Sequence, residues 1–196
     1  MDAVDVVYDE QKFTELVLYV AGQLRDDKAG GATKLGKVLY FAEFAHVRRA
    51  GTPIAGTPYQ RRPRGPVPKP LDAVQRALVA RGDGEIRHET FLGYEQQRFV
   101  PLRPADHTVL SDAERQTVDS VVADLRTLTA KQITDLSRAE PGWVLVDDGQ
   151  TIPYETAYLS PEHVAPTMMP RAAREVASSG ERRGVERDSV EVDVDA

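Results

Sequence analysis

The 196-residue chain has no cysteine. Disulfide bonds and thiolate-held metals are therefore excluded, and the composition fits a reducing compartment. No apolar run approaches the length needed to span a bilayer. The opening residues MDAVDVVYDE offer neither a basic region nor a long apolar stretch, so no secretory signal is expected and the cytoplasm is the expected location. Catalytic motifs are missing too. Gly30-Gly31 followed by Lys34 lacks the ending and strand context of a phosphate-binding loop. There is no G-x-S-x-G elbow, and Ser137 has no base evident near it in sequence. His46, His88, His107 and His163 are scattered singly. These absences predict a protein that is not an enzyme and carries no cofactor.

What is present suits a soluble globular domain. Hydrophobic residues make up 41% and charged residues 29%, and the length suffices for one domain with a real core. The formal net charge of −6 argues against binding nucleic acid or anionic membrane over the whole surface, while leaving room for a local basic patch.

Helical periodicity organises the chain. Phe13, Leu16, Val17, Val20, Ala21 and Leu24 predict a helix over 10–24 with Asp9 as its cap. Arg25–Gly31 is a polar connector to a second helix, in which Leu35, Val38, Leu39, Ala42 and Ala45 form one face. Phe41 and Phe44 widen that stripe, so this helix is expected to be covered on more than one side. Thr33 is the expected N-cap and Gly51 the stop. The stretch with Gly56, Pro58, Pro63, Gly65, Pro66, Pro68 and Pro70 is too broken for regular structure and must lean on a neighbour.

Further on, a helix is predicted over 71–81, ended by Gly82, and two extended segments, 85–91 and 97–103, flank a turn at Gly93. Ile86, His88 and Thr90 alternate with charged neighbours in the first of them. Ser111 with Glu114 and Thr129 with Gln132 are capping boxes, each opening a helix. Pro141-Gly142 breaks the latter, Trp143 is expected in the core, and Tyr154 and Tyr158 are expected to strap across the helices. Ser160-Pro161 reads as another helix start. Residues 171–196 lack aromatics and crowd charges of both signs, which predicts a disordered tail.

Three pieces of this pattern occur together: Lys34, Leu35, Lys37, Leu39, Tyr40, Phe41, Ala42, Glu43 and Phe44; then Gly51, Pro53, Ile54, Gly56 and Tyr59; then Gly65, Pro66, Val67 and Pro68. Leu136, Ser137, Gly142 and Trp143 follow. The composite resembles the Panacea domain of SocA-like antitoxins over roughly Phe13–Tyr158. Arg138 stands where that family has a histidine. The resemblance implies an antitoxin that neutralises a protein toxin, encoded by the adjacent gene, through direct binding. One family member hands its toxin to a protease as an adaptor. Leu35, Lys37, Leu39, Tyr40, Phe41, Gly56, Gly65, Pro66 and Trp143 are then the family-motif positions.

Between Arg48 and Leu71 no acidic residue occurs, yet Arg48, Arg49, Arg61, Arg62, Arg64 and Lys69 do. Solvated surface charge is the ordinary reading of such a run. The alternatives are a surface for an acidic protein partner, favoured by the overall charge, or for a nucleic-acid backbone; Tyr59 fits either an aromatic anchor beside the arginines or an ordinary half-buried core residue. Glu43 and His46 have the Glu-x-x-His spacing of bundle di-iron sites, but no second copy follows. A structural hydrogen bond is expected there, not a metal. The sequence thus predicts a mainly α-helical α+β domain over 9–166 with a small antiparallel β-hairpin, and a disordered tail over 171–196. A helix followed by a hairpin also fits a winged-helix nucleic-acid-binding regulator, though residues 71–81 offer only Arg76 and Arg81 as basic candidates.

Overall fold

The computed structural model describes residues 4–160. Its helices are α1 (Glu10–Gln23), α2 (Ala32–Ala50), α3 (Leu71–Arg81), α4 (Asp112–Leu125), α5 (Ala130–Ala139) and α6 (Pro141–Val144). Strands β1 (Tyr59–Gln60) and β2 (Val67–Pro68) pair antiparallel, as do β3 (Gly84–Phe91) and β4 (Tyr94–Pro101). A 3-10 turn, Tyr154–Tyr158, follows. The fold is mainly helical α+β, as expected. The helix start at Ser160-Pro161, the domain end at 166 and the tail over 171–196 lie outside the described residues.

Helix α2 is the axis of the fold. Every residue from Lys34 to Phe44 is buried, and α1, α4, α5, β2, β4 and the 3-10 turn all pack against it. A helix enclosed on all sides has no solvent face on which to place its polar residues. Each must therefore find a partner inside.

Many local signals are obeyed. Asp9 caps α1 by accepting from Lys12 N–H, and Gly51 and Gly82 end α2 and α3 with φ of 80° and 76°. Both capping boxes are complete on their two sides. Trp143 is buried. Tyr154 stacks on Phe44 with ring centroids 4.7 Å apart and donates to Thr57 O at 2.7 Å. Tyr158 donates to Val47 O at 3.3 Å.

Three details differ from expectation. The cap of α2 is Gly31, and Thr33 lies exposed inside the helix. Packing favours this boundary: a Cβ at Gly31 would sit 3.2 Å from Gln97 O and would push the Gln96 side chain aside, so glycine lets α2 begin close against β4. The proline-rich stretch is not without structure, since β1 and β2 pair within it, Tyr59 opposite Pro68 and Gln60 opposite Val67. The β3–β4 turn is the two-residue Leu92-Gly93, with φ of 51° and 80°, which starts the return strand at Tyr94 rather than at 97. Ile86 is exposed at 40%, and its cross-strand partner Phe99 is the buried one.

Candidate functional site

The polar residues of α2 act as anchors for the irregular segments around it. Lys34 Nζ donates to Arg126 O at 2.9 Å and Leu128 O at 2.7 Å, and pairs with Asp27 at 2.6 Å. One buried ammonium thereby ties the α1–α2 connector to the α4–α5 turn. Glu43, fully buried, accepts from the backbone N–H groups of Ile54, Ala55 and Thr57 at 2.7, 3.1 and 3.3 Å. Burial pushes its carboxyl above the ordinary 4.5, against the opposing pull of those donors. The expected Glu43–His46 hydrogen bond is not formed. Glu43 is committed to the loop amides, and His46 Nδ1 instead lies 3.1 Å from Thr117 Oγ1 on α4. Among the described residues, no group of three or more metal-ligating side chains occurs.

Lys37 Nζ donates to Pro66 O at 2.7 Å beneath Gly65. Gly65 has φ 92°, and a Cβ there would overlap Ser137 Oγ and lie 2.7 Å from Lys37 Nζ. The loop backbone can pass over α2 and α5 only because this residue has no side chain. Desolvation pulls the Lys37 ammonium down to about 7 from the ordinary 10.5. Because unfolding restores the higher value, the unfolded chain binds the extra proton between those two pH values. The penalty is complete below pH 7 and fades as pH rises towards 10.5. Stability in urea is therefore expected to increase from pH 7 to pH 9.5 by on the order of 2–3 kcal/mol. Lys37→Met should flatten that slope, and an unchanged slope in the variant would assign it to another group. The window stops below pH 10 because buried Tyr40 and Tyr59, both raised by desolvation, contribute stability that is lost once unfolded tyrosines ionise.

Around these anchors the basic residues divide. Arg62, Arg64 and Lys69 are exposed, and Lys69 Nζ reaches Thr151 Oγ1 at 2.8 Å. Arg48 and Arg49 are exposed at the end of α2; Arg48 comes within 4.0 Å of Glu140, and Arg49 donates a long 3.4 Å bond to Thr117. Two expected contact residues are not on the surface. Tyr59 is wholly buried among Tyr40, Phe44 and Tyr154, so it anchors the core and not a partner. Arg61 is buried as well, because its Nε donates to Trp143 O at 3.0 Å and its guanidinium lies over the Trp143 ring, 4.1 Å from the centroid.

The structure adds one residue that the basic run does not include. Arg138 approaches the Trp143 ring at 5.1 Å, and its buried Nε has no hydrogen-bond partner. Its place in the motif, where a histidine is expected, was the available signal. Trp143 Nε1 donates to Arg62 O at 2.9 Å, so the α5–α6 corner links the Arg48 side of the surface, through Glu140, to the Arg62 side. Asp148, 3.8 Å from Arg61 and half exposed, is the carboxylate beside the stacked pair. Arg61 and Arg138 thus share one indole, which also holds the backbone of Arg62, while Arg48, Arg49, Arg64 and Lys69 are exposed basic side chains of the neighbouring segments.

Elsewhere, a cleft of about 430 Å³ lies between the apolar hairpin tip, with Leu92 and Tyr94 exposed, and the first turns of α2 and α5. No helix among the described residues is long and apolar enough to cross a membrane.

The motif residues that hold the 53–68 loop and the α5–α6 corner against α2 fall almost entirely within one matched segment. Residues 35–144, more than half of the 196, match the family model described as "Antitoxin SocA-like, Panacea domain". No curated protein and no solved structure matches the chain. The chain therefore belongs to the SocA-like antitoxin family, as a Panacea-domain protein.

Proposed function

We propose that this protein is the antitoxin of a toxin–antitoxin pair and neutralises a protein toxin, encoded by the neighbouring gene, by direct binding in the cytoplasm. Family membership over residues 35–144 carries this reading. The contact surface is the basic patch of Arg48, Arg49, Arg62, Arg64 and Lys69, with Arg138 beside it, and its target is an acidic face of the toxin. Tyr59 and Arg61 serve by holding that patch in place from beneath. The protein works by binding, with no chemical step and no cofactor. Delivery of the bound toxin to a protease is compatible with the same surface.

Expressing the neighbouring gene alone should arrest growth, and co-expressing this protein should restore it. Arg62→Glu with Arg64→Glu should weaken the rescue without unfolding the domain, because both side chains are exposed. Like charges brought together across an interface cost several kcal/mol, so affinity should fall roughly tenfold or more. Full rescue by the double variant at native expression would move the contact elsewhere, to the Leu92–Tyr94 hairpin tip for example, while leaving the antitoxin role in place. A harmless neighbour together with tight duplex binding would favour the nucleic-acid regulator that α3 and its following hairpin suggest.

A further inference from the structure

We infer that two copies of this chain pair antiparallel along the outer edge of β3, with His88 of each copy meeting on the two-fold axis. Two observations fix which β3 residues turn their backbone groups outward. Leu92 and Gly93 both have positive φ, as a type I′ turn requires, and such a turn places Phe91 and Tyr94 in a hydrogen-bonded pair. At the other end of the hairpin, Leu102 N–H donates to Asp83 O at 2.8 Å, so that pair is of the same kind. Facing residues in an antiparallel ladder alternate between hydrogen-bonded and non-hydrogen-bonded pairs. Glu85, Arg87 and Glu89 therefore bond to β4, while Ile86, His88 and Thr90 direct their N–H and C=O groups away from it. These three residues are exposed. Among the described residues, no backbone group of 85–91 takes a backbone partner outside the hairpin.

The charges along β3 select a second copy as the strand that fits this edge. An added strand must bond its own outward residues to Ile86, His88 and Thr90. With His88 facing its counterpart, Ile86 faces Thr90 of the second copy and Thr90 faces Ile86, each through a hydrogen-bonded pair. Arg87 then stands opposite Glu89 of the second copy, and Glu89 opposite Arg87. Both pairs fall at non-hydrogen-bonded positions, where facing side chains approach most closely. The axis cannot move by one residue. Centred on 87, the pairing sets Arg87 against Arg87 and Glu85 against Glu89; centred on 89, it sets Glu89 against Glu89. Like charges directly opposite oppose pairing. Axes at Ile86 or Thr90 pair fewer residues of the strand. Charged side chains ordinarily keep a sheet edge from pairing, and here one register matches them. Arg87 is 56% exposed and free to turn to a facing carboxylate, and Glu89 is positioned by Arg98, whose Nε donates to it at 2.8 Å. None of the basic residues assigned to the toxin surface lies in β3, so pairing of copies and capture of a toxin are separate measurements.

The absence of native cysteine makes cross-linking on the complete chain a clean test. The full-length protein should sediment as a dimer at tens of micromolar. His88→Cys should give a covalent dimer on mild oxidation with copper–phenanthroline, because facing Cα atoms in a hydrogen-bonded pair are about 5.5 Å apart, within disulfide range. Ile86→Cys and Thr90→Cys should each cross-link poorly alone, since like positions are then four residues apart along the strands, about 14 Å. Mixed together, those two variants should cross-link to each other. Arg87→Glu places a carboxylate opposite Glu89 and should weaken dimerisation roughly tenfold or more. His88→Pro should abolish it while leaving thermal unfolding cooperative, because the N–H it removes points away from β4. A monomer at tens of micromolar would overturn the inference. So would a dimer that survives both Arg87→Glu and His88→Pro, or one in which Thr90→Cys alone cross-links as well as His88→Cys, since the copies would then meet elsewhere or in another register.

Discussion

Glu43→Leu is expected to destabilise the protein by about 3–5 kcal/mol, the range for removing one member of a buried, charge-assisted hydrogen-bond set. Leucine fills much of the same space, so the loss does not come from a cavity. It comes from three buried N–H groups, those of Ile54, Ala55 and Thr57, which would keep no acceptor. At 54–57 the loop's other anchors are two bonds, Asp9 N–H to Ala55 O and Tyr154 Oη to Thr57 O. Hydrogen exchange should show the local part of the effect, with protection of the 54, 55 and 57 amides lost at denaturant concentrations that leave α2 and α4 protected. A urea midpoint within error of the parent would mean that water replaces the carboxylate at no cost. Glu43 would then not be what fixes the loop.

Gly65→Val should cost about 2–5 kcal/mol, combining strain at a left-handed backbone position with overpacking of a filled site. The φ of 92° disfavours any β-branched residue, and the new side chain would strike Ser137 Oγ and Lys37 Nζ, two groups that are themselves buried. Lys37 could yield only by giving up its bond to Pro66 O. Arg62→Ala, three residues earlier and exposed, is the matched comparison and should fall within about 0.5 kcal/mol of the parent. Equal losses in the two variants would show that the loop tolerates a side chain at 65.

The contrast between these sites explains how much the sequence revealed. Elements governed by neighbours a few residues apart could be read directly: the Asp9 cap, both capping boxes, the glycine stops at 51 and 82, and the core role of Trp143. So could the position that demands glycine at 65. Contacts set by packing across long separations could not. Nothing local says that Gly31 must meet β4, and so Thr33 looked like the cap. The two-residue β1–β2 pairing is specified by what surrounds it and not by its own pattern, and Gln60 also bridges to Thr151.

The site shows the same division. A run of arginines announces a basic surface, but which guanidinium faces water depends on Trp143, eighty-two residues beyond Arg61. Tyr59 fitted either an anchor beside them or a core residue, and the aromatic cluster with Tyr40, Phe44 and Tyr154 decides for the core. Glu43 and His46 share a helical spacing, yet they serve different neighbours. Spacing along a helix establishes reach, and the rest of the fold decides the partner.

Neutralisation by contact is tested most directly with two purified components, this protein and the product of the adjacent gene, mixed and followed by calorimetry and size-exclusion chromatography. A complex with a dissociation constant below about 1 µM, equivalent to roughly −8 kcal/mol, is the expected result. It should weaken on reversing charge at Arg62 and Arg64. No complex at tens of micromolar, with tight and salt-sensitive binding of duplex DNA in its place, would contradict it.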